Sequence, residues 1–552
     1  MIGVTSREDE MGIVEEFFQL FKTPWEFCVE GHTYDVVVST RVDNPGLSAR
    51  LSVIYGSTTG HVDEDKGVAI QSRQEGGVLQ CNGVVLPIYG SILTFQGEGR
   101  SLLRVKGSSE PAGVEINGCQ AKTLRIGYDL FQEVSFLLSS GQPSEMAGIP
   151  TLEIHISMLR NWILEAGVPL VEVPPTPAGY EFTVCLTHDV DFIGIRRHKL
   201  DHSTLGFLHR ALLLSLMDAL RRKASWSRLL QNWKAVFSLP GVYLGLVDDF
   251  WWQFDRYLAI ERDLSSTFFL IPFKNRAGDR VCGKVPGKRA TRYDVDDVKA
   301  RLQDQVTLGY EIGLHGIDAW HHPDRARQEL ERISSVTGQS EVGVRMHWLY
   351  FNERSPLVLE EAGFCYDSTV GYNDAVGYRA GTTQVFRPLG AKRLLELPMH
   401  IQDTAMFYNG RMNLSEPDAL NLCRKLFRDA SLYGGVLTVN WHQRSLGPER
   451  LWGDFYVELL EELSDRSVWF ANARQVVEWF RRRRALHFDE VRFTGNSVRL
   501  KLRNAEPDVQ PGLTLRVHHP GVRYSLEPVP SPDARTHVDV PLTGETEMEI
   551  SL

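Results

Sequence analysis

"CLTHDVDF", Cys185–Phe192, is the stretch that decides the fold. The hydrophobic run "EFTVCL" leads into it and reads as a buried strand. That strand delivers the backbone into a histidine and two aspartates separated by one valine. Residues two apart on a strand point to the same side, so Asp189 and Asp191 are expected to face one site. Two bare carboxylates so placed repel, and one would take up a proton. A bound cation keeps both ionised. The plainer alternative is a turn in which an aspartate caps the next element, and the motif alone leaves both open.

Outward from this point, strands alternate with helices. "SSTFFLIPF" (265–273), "YEIGLHG" (310–316), "GVRMHWL" (343–349), "RLLELPMH" (393–400) and "GVLTVNWH" (435–442) read as strands. Helical patterns at 294–308, 323–337 and 355–363 lie between them. Such alternation argues for an α/β fold with a parallel sheet, whose site forms at the carboxyl ends of the strands. Five of these strands end on polar residues: Asp189, His315, His347, His400 and His442. A lone histidine at a strand end is usually structural, but several in one region are not expected by chance. One Asp with two His is a common ligand set for a catalytic Zn²⁺ or a similar divalent metal.

The ordered series resembles the polysaccharide deacetylases, carbohydrate esterase family 4, over about 181–480. "THDVD" is similar to that family's first motif in its variant with one residue between the aspartates. The resemblance implies a distorted (β/α) barrel, with Asp189 as base and Asp191 as metal ligand. It implies His315 as a second ligand, Arg345 as the residue orienting the base, and His442 as general acid. The family's paired-histidine motif is broken here, because the position four after His315 is Ala319. The third ligand is therefore expected from His347, which shares a strand face with Arg345, with His321 as its rival. "YDST" (366–369) and "GYRAGT" (377–382) are expected to line the cleft, or to be ordinary loops.

On either side the pattern changes. Residues 1–170 show short glycine-punctuated strands and helices near 128–139 and 152–166, an N-terminal α+β domain of unassigned role. The proline-rich "VEVPPTPAGY" (171–180) reads as a stiff linker. After the 181–484 barrel, residues 487–552 alternate strictly and predict a small C-terminal β-sandwich-like module. The helix 472–484 ends in "RRRR", read as a solvated basic cap. A helical insertion at 203–260 is rich in leucine and carries Trp226, Trp233, Arg210, Arg221, Arg222, Lys223, Arg228 and Lys234. It reads as a hairpin packed on the barrel, with an interfacial helix at 203–237 lying on anionic lipid as the alternative.

The net charge of −10 argues against a nucleic-acid partner. Seven scattered cysteines form no disulfide framework and fit a reducing compartment. The N-terminus shows no basic and apolar signal pattern, so the expected location is cytoplasmic, with the inner membrane as a peripheral site. The expected function is metal-dependent removal of an acetyl group from an N-acetylated sugar, presented as a nucleotide sugar or a lipid-linked glycan. The alternatives are hydrolysis of a C–N bond in a small amide, or a catalytically decayed carbohydrate-binding scaffold.

Overall fold

The computed structural model describes residues 1–42, 49–96, 99–117, 122–221, 225–280, 285–301, 309–494, 497–504, 510–520, 537–544 and 546–551. Arg222 and Lys223 of the insertion, and 302–308 of the expected helix 294–308, lie outside the described residues. The described start of that helix is a 3₁₀ turn at Val295–Val298.

Phe182–Val190 is the central strand, buried along its whole length on both faces. That is the signature of a parallel strand covered on both sides. Around it the order is Leu395–Glu396, Tyr366–Asp367, Val344–Met346, Glu311–Gly316, Ser266–Leu270, Phe182–Val190, Val436–Asn440 and Ile401–Gln402. The pairings are parallel throughout. Among the described residues the two edge strands do not pair with each other, so the expected barrel is an open half-barrel. Each edge strand is two residues long. Pro398 sits in the link between them and has no N–H to give a ladder.

Alternation along the central strand splits the core in two. Val184, Leu186 and Val190 face outward and pack under the helices. Cys185 faces inward with Phe269, Tyr366 and Val436. The floor of the half-barrel is closed by Trp479 and Phe480 of the helix Ala473–Ala485 and by Leu500 and Leu515 of the tail. Its top is left to polar side chains.

The N-terminal region forms its own nine-stranded sheet. Trp25–Phe27, Ile2–Thr5, Val36–Ser39, Leu51–Tyr55 and Lys122–Ile126 run parallel. The remainder is antiparallel, built on the long hairpin Ala69–Cys81/Val84–Gln96. The hairpin turns at Asn82 (φ 48°) and Gly83 (φ 87°), the left-handed pair that a two-residue turn requires.

Two readings need correction. The 171–180 segment does not stand free: Leu170–Glu172 is a strand, and Val171 and Val173 are buried. The tail, expected as a small β-sandwich-like module, has its described strands in two sheets that share one apolar core. His487–Thr494, Ser497–Arg503 and Glu547–Ser551 form one sheet, while Thr514–His518 and His537–Pro541 join Leu170–Glu172 in another. The "RRRR" cap is not fully solvated, because Arg483 is 1% exposed and Arg484 pairs with buried Glu16 at 2.7 Å.

The insertion folds as helices over His202–Leu208, Ser215–Leu220 and Trp226–Leu244, with a π-turn at His209–Leu214 between the first two. Phe207, Ala211, Ala235, Leu239, Val242 and Trp251 form its small core. Among the described residues, no helix is long and apolar enough to cross a membrane.

Candidate active site

The strand register explains why distant residues meet. Val190 pairs with Leu270, Leu270 with Leu314, and Leu314 with Val344. One step further on, Asp191 and His315 share a rung, and His315 is paired with Arg345. On the other side Thr187 pairs with Asn440, which sets Asp189 level with His442. Thr187, Asp189 and Asp191 point inward by alternation, whereas His188 points out to Glu261 at 3.0 Å.

Asp191, His315 and His347 offer ligand atoms that lie within 4.8 Å of one another. The Asp191 Oδ1 is 3.4 Å from His315 Nε2 and 3.3 Å from His347 Nε2. Tetrahedral ligands about 2.0–2.1 Å from a zinc ion are separated by roughly 3.3–3.4 Å, so these two edges fit. The same Oδ1 is buried and meets no hydrogen-bond donor in good geometry, as expected of an atom whose partner is a cation. The His315 Nδ1–H donates to the Arg345 carbonyl at 3.0 Å, which turns the Nε2 lone pair toward Asp191. His347 is followed by Trp348 and Leu349 at φ 64° and 54°, two consecutive non-glycine residues in the left-handed region. Asp191 is the acid that reaches the cleft, its side chain 21% exposed.

Asp189 is held more deeply. Arg345 donates to its Oδ1 at 3.0 Å and Asn440 to its Oδ2 at 2.8 Å. Arg345 is itself fixed by Thr187 Oγ1 (2.7 Å), Ser368 O (3.0 Å) and Ser368 Oγ (2.9 Å), over the ring of Phe269. Burial pushes the Asp189 carboxyl up, but the charges of Arg345, His315 and His442 outweigh it and hold it below its usual value. Burial also opposes ionisation of Asp191, yet His315, His347 and His442 around it carry it well below the carboxylate range. Burial drives His347 down to about 4, which keeps its imidazole neutral and able to ligate.

His442 stands on the opposite wall, its Nε2 3.8 Å from Asp191 Oδ2. Its Nδ1–H donates to Asp403 Oδ1 at 2.6 Å. Burial lowers the imidazole, but Asp403, Asp191 and Asp189 together raise it above its ordinary value. His400 turns elsewhere: its Nε2–H donates to Thr382 O at 3.1 Å, and burial pushes it down to about 4. His321 lies in a separate group with Asp279 and Asp318, where Arg325 pairs with both acids.

These groups open into a cleft of about 640 Å³, lined also by Arg411, Arg450 and Lys288. Asp403, Asn440 and Ser368 were not singled out from the sequence. Asn440 had a signal, since Thr438, Asn440 and His442 alternate along one strand face. Asp403 had none, because it opens the helix Asp403–Phe407, which is too short to show a period. "YDST" contributes Ser368 beneath Arg345. "GYRAGT" does not line the cleft but packs on the N-terminal region, with Thr382 donating to Glu153 at 2.5 Å and Gln142 donating to Tyr378 O at 2.6 Å.

No family model matches this chain, and no curated protein matches it. Solved structures do resemble it. A proposed polysaccharide deacetylase of Mycobacterium smegmatis aligns at TM-score 0.34 and 20% identity, covering 56% of this chain and 95% of its own. Another protein so proposed, from Pseudomonas aeruginosa PAO1, aligns at TM-score 0.35 and 14% identity, covering 58% and 97%. An allantoinase aligns at TM-score 0.34 and 14% identity, covering 55% and 92%.

Proposed function

We propose that this chain is a metal-dependent hydrolase that removes the acetyl group from an N-acetylated sugar. The observation that carries the reading is the convergence of two separately supported groups on one three-residue ligand set. Asp189 held by Arg345 and His442 held by Asp403 flank Asp191, His315 and His347 in a single cleft. When bound there, a divalent metal such as Zn²⁺ supplies polarisation of the amide carbonyl and a water of lowered pKa.

The chain's own residues do the rest. Asp189, kept ionised by Arg345, accepts the proton of the attacking water. Its two oxygens receive one protein donor each, and each carboxylate oxygen has a second lone pair to offer. His442, kept protonated by Asp403, delivers a proton from Nε2 to the departing amine nitrogen. Asp403 fixes the ring so that Nε2 faces the cleft.

The substrate is proposed to be a nucleotide sugar or a lipid-linked glycan met in the cytoplasm, the latter at the inner leaflet. Exposed Leu213, Met217, Trp226, Leu230 and Phe237 on the insertion motivate the membrane contact.

The reading is tested by acetate release from N-acetylated sugars with and without added Zn²⁺. Asp189→Asn is expected to keep metal and fold while losing ~10²-fold or more in turnover. Asp191→Asn is expected to lose the metal. Stoichiometric metal without acetate from any sugar would leave a small-amide hydrolase, and absent metal a scaffold.

A further inference from the structure

The cleft that holds Asp191 is cationic. Arg411 and Arg450 both pack on Tyr408, their guanidinium carbons 5.6 and 5.0 Å from its ring centroid. Both line the cleft, as do Lys288 and Arg210. The carboxylates lining it are Asp189 and Asp191. The first is matched by Arg345 at 3.0 Å, and the second faces the two ligand histidines.

The cations are not equally engaged. Arg210 pairs with Glu449 at 2.7 Å. Arg450 donates to Ser445 Oγ at 2.9 Å and to the Tyr408 hydroxyl. Arg411 donates to Thr404 Oγ1 at 2.7 Å, and among the described residues no carboxylate pairs with it. A guanidinium has five N–H donors, and this bond uses one of them. Lys288 is exposed and likewise has no ion-pair partner among the described residues. A partly buried, unpaired cation is costly unless a ligand supplies the counter-charge. The position is also apt: Thr404, which orients Arg411, follows directly on Asp403, which orients His442.

We propose that Arg411, beside the Tyr408–Arg450 pair and with Lys288 on the same cleft, binds a phosphate carried by the substrate. The acetylated sugar is then a sugar phosphate or diphosphate, not a neutral polymer. The inference rests on the deacetylase reading for its sugar, and on the cleft alone for its phosphate. Arg411 and Arg450, both on Tyr408, match a multiply charged group, and the planar fork of Arg411 matches phosphate oxygens two at a time.

The test is calorimetric titration of the full-length, Zn²⁺-loaded protein with N-acetylglucosamine and with N-acetylglucosamine 1-phosphate. The phosphate should tighten binding by at least ~10-fold, the scale of a charge-assisted bidentate contact, and the gain should shrink with salt. Arg411→Gln should abolish the gain, and Lys288→Gln, at an exposed position, should reduce it without affecting folding. Displacement by uridine diphosphate points to a nucleotide carrier and by farnesyl diphosphate to a lipid carrier; either supports the subsite. Equal affinity for the two sugars, or a phosphate gain unchanged in both variants, overturns it. Acetate assays separate the two readings. Phosphate preference without acetate release keeps the subsite and removes the deacetylase, while acetate release without phosphate preference does the reverse.

Discussion

At the scale of single residues, the proposed reading divides the site into atoms that would hold a metal and atoms that would move protons. His347 and His321 are the informative contrast. His347 Nε2 lies 3.3 Å from Asp191, whereas His321 sits between Asp318 and Asp279 at 3.7 and 3.8 Å. His347→Ala is expected to lower metal content strongly and His321→Ala weakly, measured side by side by elemental analysis. A full complement of metal in His347→Ala with an empty His321→Ala would move the third ligand. The proton chemistry is read from pH. On the proposed reading Asp189 acts ionised, and its carboxyl is held below its usual value, so the acidic limb of kcat should fall below the ordinary carboxylate range. As the proposed acid His442 acts protonated and is raised above its usual value, so activity should persist above the ordinary histidine range before falling. Asp403 is the first of the groups that raise it. Asp403→Asn should therefore move the alkaline limb to lower pH, and His442→Ala should remove that limb. An alkaline limb unmoved in Asp403→Asn would show that His442 is not the acid.

At the scale of elements, the helical insertion is both packed and exposed. Its inner face is tied to the loop that follows His442: Asn232 accepts from the Glu449 backbone at 2.6 Å, and Arg210 pairs with the Glu449 side chain. Its outer face leaves Phe237 75%, Leu220 65% and Leu230 64% exposed, more than scattered surface leucines require. Arg221 and Lys234 are exposed along the same helices. The hairpin reading and the lipid reading therefore describe opposite faces of one element. Sedimentation with vesicles containing anionic phosphatidylglycerol is expected to recover the protein, and Leu230→Ser with Phe237→Ser should release it while leaving turnover on a soluble sugar unchanged. Wild-type protein that stays in the supernatant at low salt would leave only the packed hairpin. His202, Ser203 and Arg210 of this insertion also line the catalytic cleft, so a bilayer on the outer face would lie close to the substrate's entry.

At the scale of the whole molecule, the sheets are held together by buried charge rather than by a linker. Arg483, on the helix that closes the half-barrel floor, donates to Val173 O (2.7 Å), Leu20 O (2.9 Å), Gln19 O (3.1 Å) and Gln384 Oε1 (3.2 Å). One guanidinium thus joins the N-terminal region, the 171–180 segment and the loop after residue 377. Arg483→Leu would leave several buried acceptors without a donor, at ~1–3 kcal/mol each. A loss of at least ~3 kcal/mol in urea denaturation is expected; a loss under ~1 kcal/mol would show that the acceptors find other partners. A second tie runs through Glu172, which meets Arg160 at 2.9 Å and His518 of the tail at 2.9 Å.

What the sequence determined by itself was local and periodic. The run that opens at Phe182 is mostly apolar as far as Leu186, so its place at the centre of a parallel sheet was legible. The inward facing of Asp189 and Arg345 followed from the two-residue period of a strand, whereas Asp191 and His347 stand just past the ends of their strands, where that period no longer holds. The N-terminal region could be read as strands and helices, but not as a partly parallel sheet, because strand order leaves no trace in alternation. Tertiary structure decided everything that depends on register between distant strands. It set Asp191 level with His315, brought Asp403 to His442 from the start of the short helix after an edge strand, and sent His321 and His400 to other partners. It also turned an apparent solvated cap into the buried Arg483 that fastens three segments. The physical reason is common to all of these: periodicity fixes which way a side chain points along its own element, whereas burial and pairing are properties of two surfaces meeting, and only one of them is written in any local stretch of chain.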